Sequence, residues 1–316
     1  MQIESQSELW VAGTGLIGNK VTELARSKDI SVSVTAKSEK EDPSGTAEIL
    51  DITDFEGVKK YFWDHHFKKV IVAAGIALPA AAKKNPEMAF LVNAEGPKNI
   101  GKAILTLPEG RRPSVVFMGS TLQYDIRHEG AVSENTPFVQ EGDPYVMSKI
   151  KMVEFIKELV AEGLDAKVAM IFNSTGPEQS TDYFLPSMAD QVAKIKLGLK
   201  EPKIVESRYV GHDRDFSHVD DTAQGIMLAL GGKSGDLINI ASGYGVRLKD
   251  FIYTLMDLSG VRGISHQVDP NFNTPPKVHA SWGDNSRLKA LGFVQKKDMV
   301  DICRDLFEAR LKANRG

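Results

Sequence analysis

Short apolar runs alternate along this chain with longer amphipathic ones. "LWVAG" (9–13), "SVSVTA" (31–36), "KVIVAAG" (69–75), "SVVFMGS" (114–120) and "KVAMIFN" (167–173) are continuous enough to be buried on both faces. Strands of parallel sheets have this character. Helical patterns stand between them at 16–27, 55–66, 86–106 and 144–162. Strand–helix alternation of this kind predicts an α/β chain built on a doubly wound parallel sheet. After about residue 173 the pattern loosens into more Pro, Gly and polar loop residues. That stretch is expected to form a smaller lobe at the carboxyl ends of the strands, where ligands of such sheets bind. "LINIAS" (237–242) is a late strand expected to return to the main sheet.

Composition narrows the classes. A chain of 316 residues can bury a large core, and a net charge of −3 gives no reason to expect nucleic acid or an anionic membrane as partner. The single cysteine, Cys303, excludes an internal disulfide framework and fits a reducing compartment. The N-terminus lacks the basic and apolar regions of a signal peptide, and no apolar window is long enough to span a bilayer. A cytoplasmic protein is expected, with no metal.

The first strand–helix turn reads "VAGTGLIGNKV", with Gly13, Gly15 and Gly18 in a Gly-x-Gly-x-x-Gly pattern. Such glycines permit a tight turn, close approach of a pyrophosphate to the backbone, and close helix–strand packing. The helix N-terminus then offers free N–H groups and a positive dipole end to phosphate. A dinucleotide-binding Rossmann domain is therefore expected over 1–172, with 212–242 returning to it and 173–316 mainly a substrate lobe. The end of the second strand, "VTAKSEK", carries no acid to hold a ribose 2′-hydroxyl. Lys37 suits a 2′-phosphate instead, which favours NADP(H) and leaves NAD(H) possible. Asp51, in "EILDITD", could accept from the adenine amino group, while Asp54 fits better as cap of the next helix.

"GDPYVMSK" (142–149) opens the fourth helical pattern. Asp143 can cap it and Pro144 fits its first turn. Val146, Ile150, Val153, Ile156 and Val160 form a buried stripe that fixes the rotation of the helix. Tyr145 and Lys149, four residues apart, share a face at its start. Carbonyl reduction wants this pair, because the alkoxide left by hydride arrival needs a proton donor within reach. The ammonium is expected to lower the phenol's pKa from about 10. Ser120 and Thr121 end a strand at the same mouth, where Ser120 could orient the carbonyl.

Together these residues resemble the extended short-chain dehydrogenase/reductase family over nearly the whole chain. The glycine turn, "DIT" (51–53), "VAAG" (72–75), "NPEMAFLVNAEGPKN" (85–99), Ser120 and "YVMSK" follow the family's order, and Ser120 precedes Tyr145 by the family's 25 residues. The resemblance implies a catalytic group of Ser120, Tyr145 and Lys149. It implies cofactor contacts from Gly13, Thr14, Gly15, Leu16, Ile17, Gly18, Lys37, Asp51, Ile52, Ala73, Ala74, Gly75 and Asn93, with Tyr145 and Lys149. The second half, with "FNSTGPEQS" (172–180) and "HDRDFSHVDD" (212–221), is similar to nucleotide-sugar members. Most similar are those reducing the C4 ketone of GDP-4-keto-6-deoxy-D-mannose to GDP-D-rhamnose. That implies a nucleotide-sugar substrate held by Thr121, Asn173, Tyr183 and Arg214, and a homodimer. Leu122 stands where dehydratases of the family carry a proton-transferring glutamate, which argues against 4,6-dehydration.

Alternatives remain at this point: a 6-deoxy-talose or heptose analogue of that reaction, a nucleotide-sugar 4-epimerase with tightly bound NAD, or a non-catalytic NAD(P)-sensing protein. The chain also departs from the family pattern. The glycine turn is one residue short, Asp190 and Thr274 replace usual cations, and Pro97 replaces a usual threonine. Lys277 is a candidate to compensate for the lost charge. A proline at 97 cannot bond the carbonyl four residues back, so a kink is expected at Asn93, with its carbonyl free.

Overall fold

In a computed structural model describing residues 8–42 and 45–315, all six predicted strands lie in one parallel sheet. In chain order its strands are β1 (Leu9–Ala12), β2 (Val32–Ala36), β3 (Glu48–Ile49), β4 (Lys69–Val72), β5 (Ser114–Ser120), β6 (Ala166–Ile171) and β7 (Leu237–Ile240). Their spatial order is β7-β6-β5-β4-β1-β2-β3. The chain leaves β1 in one direction and resumes at β4 on its other side, so the order reverses between them. That reversal opens a crevice at their carboxyl ends, the usual ligand position in such sheets.

The sheet is buried on both faces. Leu9 and Val11 point into one apolar layer, with the helices Leu16–Arg26 and Val219–Ala229. Trp10 and Ala12 point into the other, with the helices Phe55–Asp64, Gly96–Leu105 and Pro144–Ala161. Trp10 is fully buried against Tyr61, Phe62 and Phe67, and its indole N–H donates to Thr35 Oγ1 at 3.0 Å. The donor is thus satisfied where an orphan would cost roughly 1–3 kcal/mol. A further apolar cluster joins the helices Phe184–Lys196, Leu248–Ser259 and Met299–Asn314. Asp190 belongs to this packing: it pairs with Lys194 at 2.7 Å and accepts from Asn314 Nδ2 at 2.9 Å. No helix among the described residues is long and apolar enough to cross a membrane.

The irregularity expected at Asn93 takes the form of a π-helical segment, Leu91–Glu95, between the α-helices Pro86–Phe90 and Gly96–Leu105. The wider turn restarts the α-helix at Gly96, which puts Pro97 in a first turn. There a missing N–H costs no helical bond. Such π segments are frequent at functional sites, and this one carries Asn93.

Candidate active site

The three glycines of the first turn serve three separate needs. Gly13 adopts φ +108, and a Cβ there would lie 2.6 Å from Ala74 N, across the crevice between β1 and β4. A Cβ on Gly18 would lie 2.0 Å from Gly13 O, so the helix Leu16–Arg26 packs directly on the turn. A Cβ on Gly15 would meet nothing within 4 Å. Its backbone is left bare at the N-terminus of that helix, which has no side-chain cap. This is the cradle a phosphate requires. Gly18→Ala is expected to cost about 1–3 kcal/mol, because backbone rather than a flexible side chain must yield. Thermal unfolding measures the loss, and a variant as stable as the parent would contradict it.

A cleft of about 540 Å³ opens on this turn. Of the residues anticipated for a cofactor, Gly13, Thr14, Gly15, Lys37, Asp51, Ile52, Ala73, Ala74 and Gly75 line it. Leu16, Ile17 and Gly18 belong to the helix beginning at the cleft rather than to its lining. Thr35, Glu41, Leu50, Ile76, Met88 and Val92 also line it. Met88 and Val92 sit on the helical run over 86–105, where apolar spacing does not separate a cleft wall from a core stripe. Asp54 holds the N-cap position of the helix Phe55–Asp64, but its side chain makes no cap bond.

At its inner end the cleft meets the tyrosine helix. A Cβ on Gly75 would come within 3.0 Å of Asn93 Oδ1 and 3.6 Å of Lys149 Nζ. Asn93 is fully buried: Oδ1 accepts from Ile76 N at 2.8 Å, and Nδ2 donates to Ile76 O and Ser148 Oγ, each at 3.1 Å. It therefore clamps the loop after β4 to the tyrosine helix. Asp143 caps that helix by accepting from Val146 N at 3.0 Å, with Pro144 in the first turn. Lys149 reaches across to donate to Met118 O, in β5, at 2.8 Å. Ser120 ends the same strand, and its hydroxyl interacts with the Tyr145 phenol.

Burial governs the electrostatics of this group. It pushes the Tyr145 phenol up from its usual value, against a downward pull from Ser120, and Tyr183 and Asp143 push it further up. Burial dominates because a phenolate there would be stripped of water, and the expected lowering by Lys149 is not among the influences on the phenol. Burial also drives Lys149 down to about 8. The protein accordingly holds Tyr145 as a protonated phenol at neutral pH. Tyr183 stands half-buried at the start of the helix Phe184–Lys196, near enough to act on Tyr145.

Ser120 is held by a residue the sequence reading passed over. Gln123 Oε1 accepts Ser120 N–H at 2.8 Å, while Ser120 Oγ accepts from Leu122 N at 3.3 Å. The short turn Thr121–Gln123 presents Thr121 half-buried and Leu122 half-exposed at the mouth.

Asn173 and Arg214 bond to the neighbouring lobe rather than to the tyrosine group. Asn173 Nδ2 donates to Asp215 O at 2.7 Å, and the Arg214 guanidinium donates to Asp213 O at 2.7 Å and Val278 O at 3.3 Å. Beside Arg214 lies His212, stacked on Tyr209. Burial first, then the charges of Arg214 and His279, press His212 down to about 4. It is therefore neutral where Arg214 is charged. Asp215 anchors the segment: its buried carboxylate accepts from Ser242 N and Oγ, Gly243 N and Gly283 N at 2.7–3.1 Å. Without those bonds a buried carboxylate would be costly.

Residues 11–241 match the model of the NAD dependent epimerase/dehydratase family. Among curated proteins the chain is similar to GDP-6-deoxy-D-mannose reductase of Pseudomonas aeruginosa, 26% identical over 202 residues. That match covers 63% of this chain and spans just under two thirds, 66%, of that protein. Among solved structures it resembles RMD from Pseudomonas aeruginosa complexed with NADPH. The TM-score is 0.81 at 20% identity, covering 97% of this chain and 100% of the other. It also resembles UDP-glucose 4-epimerase of Thermus thermophilus in complex with NAD. There the TM-score is 0.78 at 21% identity, with 96% and 98% covered. At these identities the structures share the fold.

Proposed function

This chain belongs to the NAD dependent epimerase/dehydratase family, and from that premise we propose that it reduces the C4 ketone of a nucleotide-linked 4-keto-6-deoxy sugar. The favoured substrate is GDP-4-keto-6-deoxy-D-mannose, the product GDP-D-rhamnose, and the cofactor NADPH. One observation carries the reading: Lys149 Nζ stands beside Gly75, where the glycine-turn cleft ends, on the same helix start as Tyr145, on whose phenol Ser120 acts.

The cleft fits a dinucleotide. Gly13, Gly15 and the helix start at Leu16 would hold its diphosphate, and Asn93 ties the Ile76 loop to the tyrosine helix beside Lys149. The nicotinamide, when bound, supplies the hydride to the ketone carbon. Ser120 Oγ would hold the ketone oxygen against Tyr145, with its own backbone fixed by Gln123. Tyr145 carries the proton this oxygen needs, because burial keeps the phenol protonated. Lys149 places a positive charge behind the pair, fixed by Met118 O. Leu122 has no proton to move, which leaves dehydration without its acid/base group. Arg214 would face the sugar's diphosphate, with guanidinium geometry suited to it.

The test follows NADPH absorbance with GDP-4-keto-6-deoxy-D-mannose, and the product by NMR. Cofactor oxidation with a 4-hydroxy product is expected. No oxidation with any 4-keto-6-deoxy nucleotide sugar would sink the reading. Interconversion of 4-epimers by a protein purified with NAD would replace it by the epimerase.

A further inference from the structure

The outer end of the cleft has an unusual balance of charge. Among the described lining residues Lys37 is the single cation, against the carboxylates Asp51 and Glu41. Lys37 is already engaged, its Nζ lying 3.2 Å from Asp51 Oδ2. The other oxygen of Asp51 is occupied separately: Oδ1 accepts from Thr53 N at 2.9 Å and Thr53 Oγ1 at 2.8 Å. One oxygen thus builds the turn after β3, and the other faces the ammonium. Glu41 closes the wall opposite, its carbonyl accepting from Thr14 Oγ1 at 2.6 Å.

We infer that Asp51 is a specificity-determining residue that acts through Lys37, competing with the 2′-phosphate of NADP for the ammonium and so narrowing the preference for NADP over NAD. The inference rests on the reading of the cleft as a dinucleotide site with Lys37 at its 2′ end. Three physical points support it. A dianionic phosphate must share or draw off an ammonium whose charge Asp51 already offsets, whereas a ribose hydroxyl leaves the pair undisturbed. The pair is partly exposed, at 44% and 34% of side-chain area, and exposed pairs are weak enough to be broken by a ligand. Finally, Thr53 holds Asp51 in place whether or not Lys37 stays, so the carboxylate cannot follow the ammonium.

Asp51→Asn separates these functions. The amide keeps an oxygen for Thr53 and removes the charge opposite Lys37. Dissociation constants for NADPH and NADH, from quenching of intrinsic tryptophan fluorescence, give the readout without any sugar substrate. In Asp51→Asn the preference for NADPH over NADH is expected to rise about fivefold, the size of a weak exposed pair. In Lys37→Ala it should fall about tenfold, by loss of NADPH affinity alone. In the double variant the ratio should equal that of Lys37→Ala, because Asp51 then has nothing to act through.

Other results overturn the inference in distinguishable ways. If Asp51→Asn weakens both cofactors equally, Asp51 is a direct contact of the adenosine they share. If the double variant still favours NADPH more than Lys37→Ala does, the carboxylate repels the phosphate directly. If the parent protein binds neither dinucleotide, the reading of the cleft falls, and this inference with it.

Discussion

Tyr145→Phe is expected to lower kcat for ketone reduction by about three orders of magnitude, within the range that one positioned proton donor contributes. NADPH affinity should stay within about twofold, a small fraction of the 1.4 kcal/mol that a tenfold change represents. The size of the effect follows from the surroundings of the phenol. Tyr145 is 8% exposed, so bulk water has little access to replace it as donor. Ser120 is aimed at the same oxygen, but its backbone is pinned by Gln123 at 2.8 Å, and its hydroxyl is a far weaker acid than a phenol. Removing one hydroxyl leaves the ring in its apolar bed of Ala82, Ala89, Val146 and Ile150. Thermal stability should therefore change little, which separates lost chemistry from lost fold. Single-turnover rates with saturating NADPH provide the measurement. A variant retaining a tenth or more of parental kcat would remove Tyr145 from its proposed role.

Replacing Lys149 by methionine is expected to abolish turnover while making the protein more stable. Lys149 is 6% exposed, and burial presses its ammonium down to about 8 from the ordinary 10.5. That displacement is a penalty on the charged form of about 3 kcal/mol at neutral pH. Methionine has a similar length and no charge, but it forfeits the charge-assisted bond to Met118 O, worth about 1.5–3 kcal/mol. A net gain of about 1 kcal/mol remains.

The pH dependence has a definite sign. Below pH 8 the lysine is protonated in both folded and unfolded chains, and the penalty is complete. Between 8 and 10.5 the unfolded chain holds a proton that the folded chain has released. Parental stability therefore rises with pH in this window, and the advantage of Lys149→Met shrinks. Thermal unfolding at about pH 7 and about pH 10 measures both quantities. A variant less stable than the parent at neutral pH would show that the lysine's contacts outweigh its desolvation. A gain in stability beside a loss of catalysis is the usual trade at a site built for function.

Much of the scaffold was legible from periodicity. The runs at 9–13, 31–36, 69–75, 114–120 and 167–173 read as doubly buried strands, and each lies in the parallel sheet within a few residues of those limits. The glycine pattern was legible because the spacing of Gly13, Gly15 and Gly18 marks a tight turn, where Gly13 takes φ +108, a conformation that other residues rarely adopt. The start of the tyrosine helix was equally legible, since Asp143 and Pro144 act on their own neighbours. Pro97 announced an irregular helix through its missing N–H, though not that a π segment would absorb it at Asn93.

The rest depended on contacts between residues far apart in the chain. That the phenol would be pushed up rather than down follows from its own burial among Ala82, Ala89, Val146 and Ile150, which only the packed fold creates. Gln123 carries no signal of its own, because a glutamine in a turn is ordinary until its Oε1 meets Ser120 N–H. Lys37 reads as a free cation in "VTAKSEK"; only the pairing of β2 with β3 brings Asp51 to 3.2 Å from it. Turn sterics, caps and hydrophobic period act between neighbours in sequence, and so they are written in the order of the residues. Desolvation and ion pairing depend on which surfaces meet, and here that was decided only once the seven strands had taken their places.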